Sequence, residues 1–200
     1  KNTLRRVDHR LGRPMNMGYC AVGRVEATGD NVSGFVPKQR VVMAGMGQAN
    51  HAEWNRVSVN LACPIPDAVA DRNAAFAPLY ALALHALRQG ETSIGDNIAI
   101  IGAGLIGQLV AQTAGTAGAL VTVIEPNPKR RAFATSKKHV RCYATANDAS
   151  ENHFDAVYIC APGKADHHLI DDAARLCRDR GMIVCIGNVE PTGKRKALYE

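Results

Sequence analysis

The stretch NIAIIGAGLIGQLVAQTAGTAGALVTVIEP, Asn97 to Pro126, decides the fold. Its opening run, Ile98-Ala99-Ile100-Ile101, is apolar throughout and too short for most helices, which is the pattern of a strand buried on both faces of a parallel sheet. Gly102, Gly104 and Gly107 follow in G-x-G-x-x-G spacing. Beyond them Leu105, Ile106, Leu109, Val110, Thr113, Ala114 and Ala117 recur at the 3.6-residue period, which predicts an amphipathic helix ended by Gly118. ALVTVIE then reads as a second strand finishing on Glu125.

Each part has a mechanical use. The first glycine permits a tight strand-to-helix turn, the second lets backbone approach a pyrophosphate, and the third lets helix and strand pack closely. A pyrophosphate at Gly102, Gly104, Leu105, Ile106 and Gly107 would meet helix N-terminal N–H groups and the positive end of the helix dipole. Glu125 lies 125 − 107 = 18 residues past the last glycine, close to where an acid accepts the ribose hydroxyls of NAD. The alternative is a structural turn in an α/β domain of other function. The coenzyme reading needs the glycines at a crevice and Glu125 not sealed against a basic side chain.

Composition sets the outer bounds. The 200 residues suffice for one good core, or one domain plus part of another. The longest nearly apolar stretch, Ala74 to Leu87, is 14 residues with His85 inside it, too short to cross a bilayer. Six cysteines with no C-x-x-C pair point to a reducing cytoplasm rather than to a metal cluster or disulfide framework. The net charge of +6 is scattered and is not interleaved with aromatics, which are only 5% of the chain, so no nucleic-acid partner is expected. The chain starts without Met and stops at Leu198-Tyr199-Glu200 with no helix stop, which suggests a fragment.

Before Pro66 the patterns are short and β-rich: YCAVGRVEATG, QRVVMAG and RVSVNLACPIP. DRNAAFAPLYALALHALRQG predicts a helix that Pro78 kinks or splits. After Glu125, strand and helix patterns alternate. PNPKRRAFATSKKH and ADHHLIDDAARLCRDRG read as helices, and VRCYAT, FDAVYICAPG and MIVCIG as strands. This is a doubly wound α/β arrangement, with Ala161-Pro162-Gly163 and Ile186-Gly187 at the carboxyl edge, where ligands bind.

Gly18-Tyr19-Cys20-Ala21-Val22-Gly23-Arg24-Val25, followed by Lys38-Gln39-Arg40-Val41, resembles the G-H-E-x-x-G-x-V … G-D-R-V stretch of the medium-chain dehydrogenase/reductase family. Ala52-Glu53-Trp54 is similar to its A-E-[YFW] strand and Pro64-Ile65-Pro66-Asp67 to its I-P-D, with the helix and glycine loop following in the family's order. The resemblance covers roughly residues 17 to 190. It implies a β-rich, GroES-like catalytic domain, incomplete here, over residues 1–70, and a connecting helix over 71–92. A Rossmann coenzyme domain would span 93–190, with a return segment over 191–200. It also implies a small-molecule substrate, no membrane partner, and a full-length parent that could be a homo-oligomer. Tyr19-Cys20 stands where zinc-dependent members carry His-Glu, and Pro78 where a further zinc cysteine falls, so no catalytic zinc is expected.

Without zinc, Tyr19 is the positional candidate for proton transfer and His51 the candidate relay, each weighed against a plain packing or loop role. Glu125 favours NAD because it repels a 2′-phosphate, whereas Lys129, Arg130 and Arg131 argue for NADP. The expectation is an NAD(H)-dependent alcohol/carbonyl oxidoreductase acting on a sugar-like or polyol substrate. The alternatives are an NADPH-dependent enoyl or quinone reductase of the same fold and a dinucleotide-binding module without turnover.

Overall fold

Runs of β-branched residues between glycine-rich turns build the larger of two sheets. In the computed structural model, which describes residues 16–136, 140–161 and 167–186, this sheet contains β4 (Asn97–Ile101), β5 (Leu120–Ile124), β6 (Val140–Tyr143), β7 (Phe154–Ile159) and β8 (Cys177–Cys185). All neighbours are parallel, in the order β6-β5-β4-β7-β8. Ile98, Ala99, Ile100, Val157, Tyr158 and Ile159 are fully buried, as central strands covered on both faces require. The chain runs outward from β4 to β6 and then returns to β4's other side as β7. The order therefore reverses at the carboxyl ends of β4 and β7, which is where doubly wound sheets bind ligands.

The connecting helices are α3 (Leu105–Thr116), α4 (Pro128–Thr135) and α5 (His167–Leu176). The face that α3 buries carries Gly107, Gln108, Leu109, Val110, Ala111 and Ala114. Leu105, expected inward, is instead 52% exposed, because it sits in the first turn beside a cavity at the sheet edge. Asn127 caps α4 by accepting the N–H groups of Lys129 and Arg130, and Pro128 occupies the first helical position, where no N–H is needed.

The last strand corrects the pattern reading. The predicted helix over ADHHLIDDAARLCRDRG ends at Leu176, and β8 already begins at Cys177. Cys177 pairs with Phe154, a register shift follows, and Arg178 Nε donates to Asp155 Oδ1 at 2.6 Å. Asp155 Oδ2 also accepts the Asn97 N–H at 2.8 Å, so one carboxylate joins the starts of β4, β7 and β8. These long-range partners outcompete the local helical pattern.

The preceding segment forms an antiparallel sheet in the order β1-β2-β3, from β1 (Cys20–Arg24), β2 (Arg40–Ala44) and β3 (Ala62–Pro64). RVSVNLACPIP, expected as one strand, contributes a 3-10 turn at Val59–Leu61 and then only β3, an edge strand that tolerates Pro64. Val42, Ile65 and Ala74 form a small core, and Arg40 bridges to Asp71 Oδ1 at 2.6 Å. The helical region around Pro78 divides into α1 (Asp71–Ala74) and α2 (Ala77–Gln89), with Pro78 in the first turn of α2, where its missing N–H costs nothing. Two compact units result, Lys1–Leu79 and Tyr80–Glu200. Among the described residues no helix is long and apolar enough to cross a membrane.

Candidate coenzyme site

Four strand tips meet at the carboxyl edge of the parallel sheet, and backbone hydrogen bonds carry the ladder past the strands themselves. The Gly102 N–H donates to Ile124 O, Glu125 N–H to Tyr143 O, Cys160 N–H to Ile101 O, and Ile186 N–H to Ile159 O, at 2.8 to 3.1 Å. This brings Gly102, Glu125, Ala161 and Ile186 onto one edge. Pro162, Gly163 and Gly187 lie outside the described residues.

The three glycines differ in what surrounds them. Gly102 has φ +101°, a conformation other residues rarely adopt, and a Cβ on it would lie 2.9 Å from the Ala161 nitrogen. Gly107 packs so closely that a Cβ would fall 1.9 Å from Gly102 O. Gly104 meets nothing within 4 Å. It is also the N-cap of α3, and no side chain caps that helix end. Open space over Gly104, at helix N–H groups that need acceptors, is a cradle that fits a pyrophosphate.

Glu125 is 4% exposed. Its Oε2 accepts the Ala103 N–H at 2.8 Å and its Oε1 the Asn127 N–H at 2.9 Å. It is buried by backbone amides. Its ion-pair partner, Arg130, stands 3.9 Å from Oε2, beyond hydrogen-bond distance. Arg131 turns away, its Nη1 donating to Glu125 O and Pro126 O at 2.8 and 2.7 Å. A cavity of about 310 Å³ lies beside the loop, with Gly104, Leu105 and Gln108 on one wall and Lys129, Arg130 and Phe133 on the other. Gln108 and Phe133 escaped the sequence reading. A polar residue between Gly107 and Leu109, inside the apolar run of α3, was the available signal for Gln108.

Beneath the loop, Cys160 is a half-buried residue whose thiol pKa is pushed up to about 12 by desolvation, which makes it a poor nucleophile. Tyr19 and His51 belong to the first unit. Tyr19 is 52% exposed and its carbonyl accepts the Gly45 N–H, while the exposed His51 donates its N–H to Met17 O and packs its ring against Gly18. His85, inside the apolar stretch from Ala74 to Leu87, is exposed. Among the described residues no three His, Cys, Asp or Glu side chains are grouped to hold a metal ion.

A Rossmann sheet with a glycine cradle at its switch point defines the class, and the comparisons agree with it. Residues 97–185 match the family described as "Oxidoreductase family, NAD-binding Rossmann fold". In fold the chain is alcohol dehydrogenase-like, and its relatives are named dehydrogenases. Among them is 2-dehydro-3-deoxy-L-galactonate 5-dehydrogenase of Pseudoalteromonas atlantica, 29% identical over 155 residues, with 64% of this chain and 45% of that protein covered. The structure of galactitol-1-phosphate dehydrogenase from Escherichia coli superposes with a TM-score of 0.78 at 19% identity, covering 94% of this chain and 65% of that one. A putative zinc-binding dehydrogenase from Sinorhizobium meliloti bound to NADP superposes with a TM-score of 0.73 at 20% identity, covering 91% and 64%. The match to the curated relative thus spans less than half of that protein's length.

Proposed function

We propose that this chain holds the coenzyme unit and part of the catalytic unit of a nicotinamide-dependent oxidoreductase that moves hydride between an alcohol and its carbonyl without catalytic zinc. The observation that carries the reading is the open, uncapped helix terminus at Gly104, set at the switch point of a parallel sheet. Gly102, Gly104, Leu105, Ile106 and Gly107 hold the pyrophosphate. Ala161, Pro162, Gly163, Ile186 and Gly187 hold the nicotinamide half with backbone groups. The bound nicotinamide supplies the hydride acceptor. The strand-tip acid Glu125 supports NAD(H), and the cations on the cavity wall support NADP(H).

Residues 1–70 act as part of the GroES-like catalytic domain, 71–92 connect, 93–190 bind coenzyme and 191–200 return. Tyr19 serves as proton donor or acceptor at the substrate oxygen, with His51 as relay. The substrate is a small sugar-like or polyol compound, in line with the galactonate and galactitol relatives. The replacement of His-Glu by Tyr19-Cys20 supports zinc-free chemistry. Six free thiols support a cytoplasmic location.

The test uses the intact protein: coenzyme titration by fluorescence, turnover of an alcohol and polyol panel, and metal analysis. Coenzyme binding with turnover and well under one zinc per chain is the expected result. Binding without turnover on any panel member would favour a regulatory dinucleotide-binding module, and absence of binding would remove the proposal altogether.

A further inference from the structure

A second cavity, of about 570 Å³, opens in the first unit, within the loop that joins β2 to the turn at Val59–Leu61. Its walls include Gln48, Asn50, Arg56 and Ser58, together with Trp54. The loop is pinned largely through its backbone. Asn55 clamps Asn50, its Oδ1 accepting the Asn50 N–H at 2.9 Å and its Nδ2 donating to the Asn50 carbonyl at 3.1 Å. Gln48 Oε1 accepts the Ser58 N–H at 2.9 Å, which ties the two sides of the loop together.

These bonds leave one group out. Asn50 Oδ1 is buried without a hydrogen-bond partner, and among the described residues no other buried side-chain nitrogen or oxygen is in that state. A buried acceptor without a donor is destabilising, and an apolar side chain of similar size would remove the penalty. Such a group in a cavity wall has a use when a ligand brings the missing donor. A hydroxyl suits it, because a hydroxyl can donate to Oδ1 and accept from Nδ2 of the same amide.

The other walls set the rest of the ligand. Arg56 is exposed and, among the described residues, forms no ion pair. No acid lines this cavity; Glu53 lines the adjoining one, which shares Trp54 and Arg56 with it. A free guanidinium fork matches a carboxylate or a phosphate. Trp54 is 72% exposed, and its ring offers an apolar face with an N–H at the edge. A polyhydroxylated carbon chain ending in an anion meets all three demands. At about 570 Å³ the cavity is in the range of small-molecule sites. It also belongs to the loop of the proposed proton path: Asn50 precedes His51, whose N–H donates to Met17 O and whose ring lies against Gly18, next to Tyr19.

We propose that the cavity walled by Asn50, Trp54 and Arg56 holds the anionic end of a polyhydroxylated substrate, a sugar acid or a sugar phosphate. Arg56 takes the anion and Asn50 a neighbouring hydroxyl. This inference rests on the oxidoreductase reading above and narrows its substrate class.

Calorimetric titration of the intact protein with a hexitol, the matching hexonate and the hexitol 1-phosphate isolates the anion. The anionic ligand that fits is expected to bind about tenfold tighter than the hexitol or better, the range of one or two charge-assisted hydrogen bonds. Whether that ligand is the hexonate or the phosphate tells a sugar acid from a sugar phosphate. Arg56→Ala should bring all three to one affinity, and Arg56→Lys should keep part of the preference. Asn50→Leu should weaken the three by a common factor of about five or more, while the melting temperature without ligand stays level or rises because the unpaired acceptor is gone. A lower melting temperature with unchanged binding in that variant would overturn the part given to Asn50. Equal affinity for all three ligands in the parent, an anion preference that survives Arg56→Ala, or binding of none would overturn the inference and leave the coenzyme reading standing. Anion-selective binding without turnover of any of the three would uphold the site and count against the oxidoreductase reading instead.

Discussion

Replacing Gly107 with alanine puts a Cβ 1.9 Å from Gly102 O and 3.0 Å from that residue's carbonyl carbon, with Cys160 Cβ at 3.4 Å. The closest contact is more than an ångström too short, and its partner is backbone at the tip of a fully buried strand. No flexible side chain can give way. Helix α3 must lift off β4, which opens the layer that Val110 and Ala114 fill. Overpacking of this kind costs about 3 kcal/mol, equivalent to a melting temperature lower by roughly 6 to 12 °C in a chain of this size. Gly104 is the control. Its φ of −69° suits any residue, and a Cβ there meets nothing within 4 Å. Gly104→Ala should leave the melting temperature unchanged or raise it slightly through the unfolded chain. Yet the added methyl group occupies the space assigned to the pyrophosphate, so coenzyme affinity should fall more than about tenfold. Scanning calorimetry and coenzyme titration of the two variants together read both effects. A Gly104→Ala protein that binds coenzyme like the parent would refute the cradle, and a Gly107→Ala protein that melts with the parent would refute the packing argument.

Two further outcomes follow from buried or paired titrating groups. The Arg178 guanidinium, helped by the Asn97 N–H, holds the Asp155 carboxyl below the ordinary carboxylate value. A depressed folded value means the pair stabilises the protein above that ordinary range and stops doing so as pH falls through the folded value. Asp155→Asn should therefore cost about 1 kcal/mol in urea unfolding at pH 7 and converge with the parent in strong acid; an equal gap at both pH values would contradict it. Cys160, pushed up to about 12, should have a thiolate fraction near 10⁻⁴ at pH 8 and resist a thiol reagent until the protein unfolds, while the exposed Cys63 and Cys185 react in the native state. Mass spectrometry of the labelled peptides would show it, and early labelling of Cys160 would mean that the edge of β7 is open.

The α/β class was legible because strands buried on both faces are written as unbroken apolar runs. Ile98 to Ile101 and Ala156 to Ile159 can do little else in water. The glycine spacing likewise announces a strand-to-helix turn, because Gly102 sits at φ +101°. Local patterns failed where distant partners decided. Arg178 follows Asp155 into the sheet instead of extending α5, and Val59–Leu61 coils into a short turn instead of a strand.

The candidate site divides along the same line. The residues that carry its backbone geometry, three glycines and the strand tips after them, could be named from spacing alone, since their chemistry lies in having no side chain in the way. The role of an acid could not. Glu125 is the same residue whether it faces a ribose or two amides, and in the folded chain its two oxygens accept the N–H groups of Ala103 and Asn127, bonds that offset the cost of burying the carboxylate. The order of the residues thus specified a phosphate-sized opening at a sheet edge, while the packing of two loops against each other decided which charges look into it.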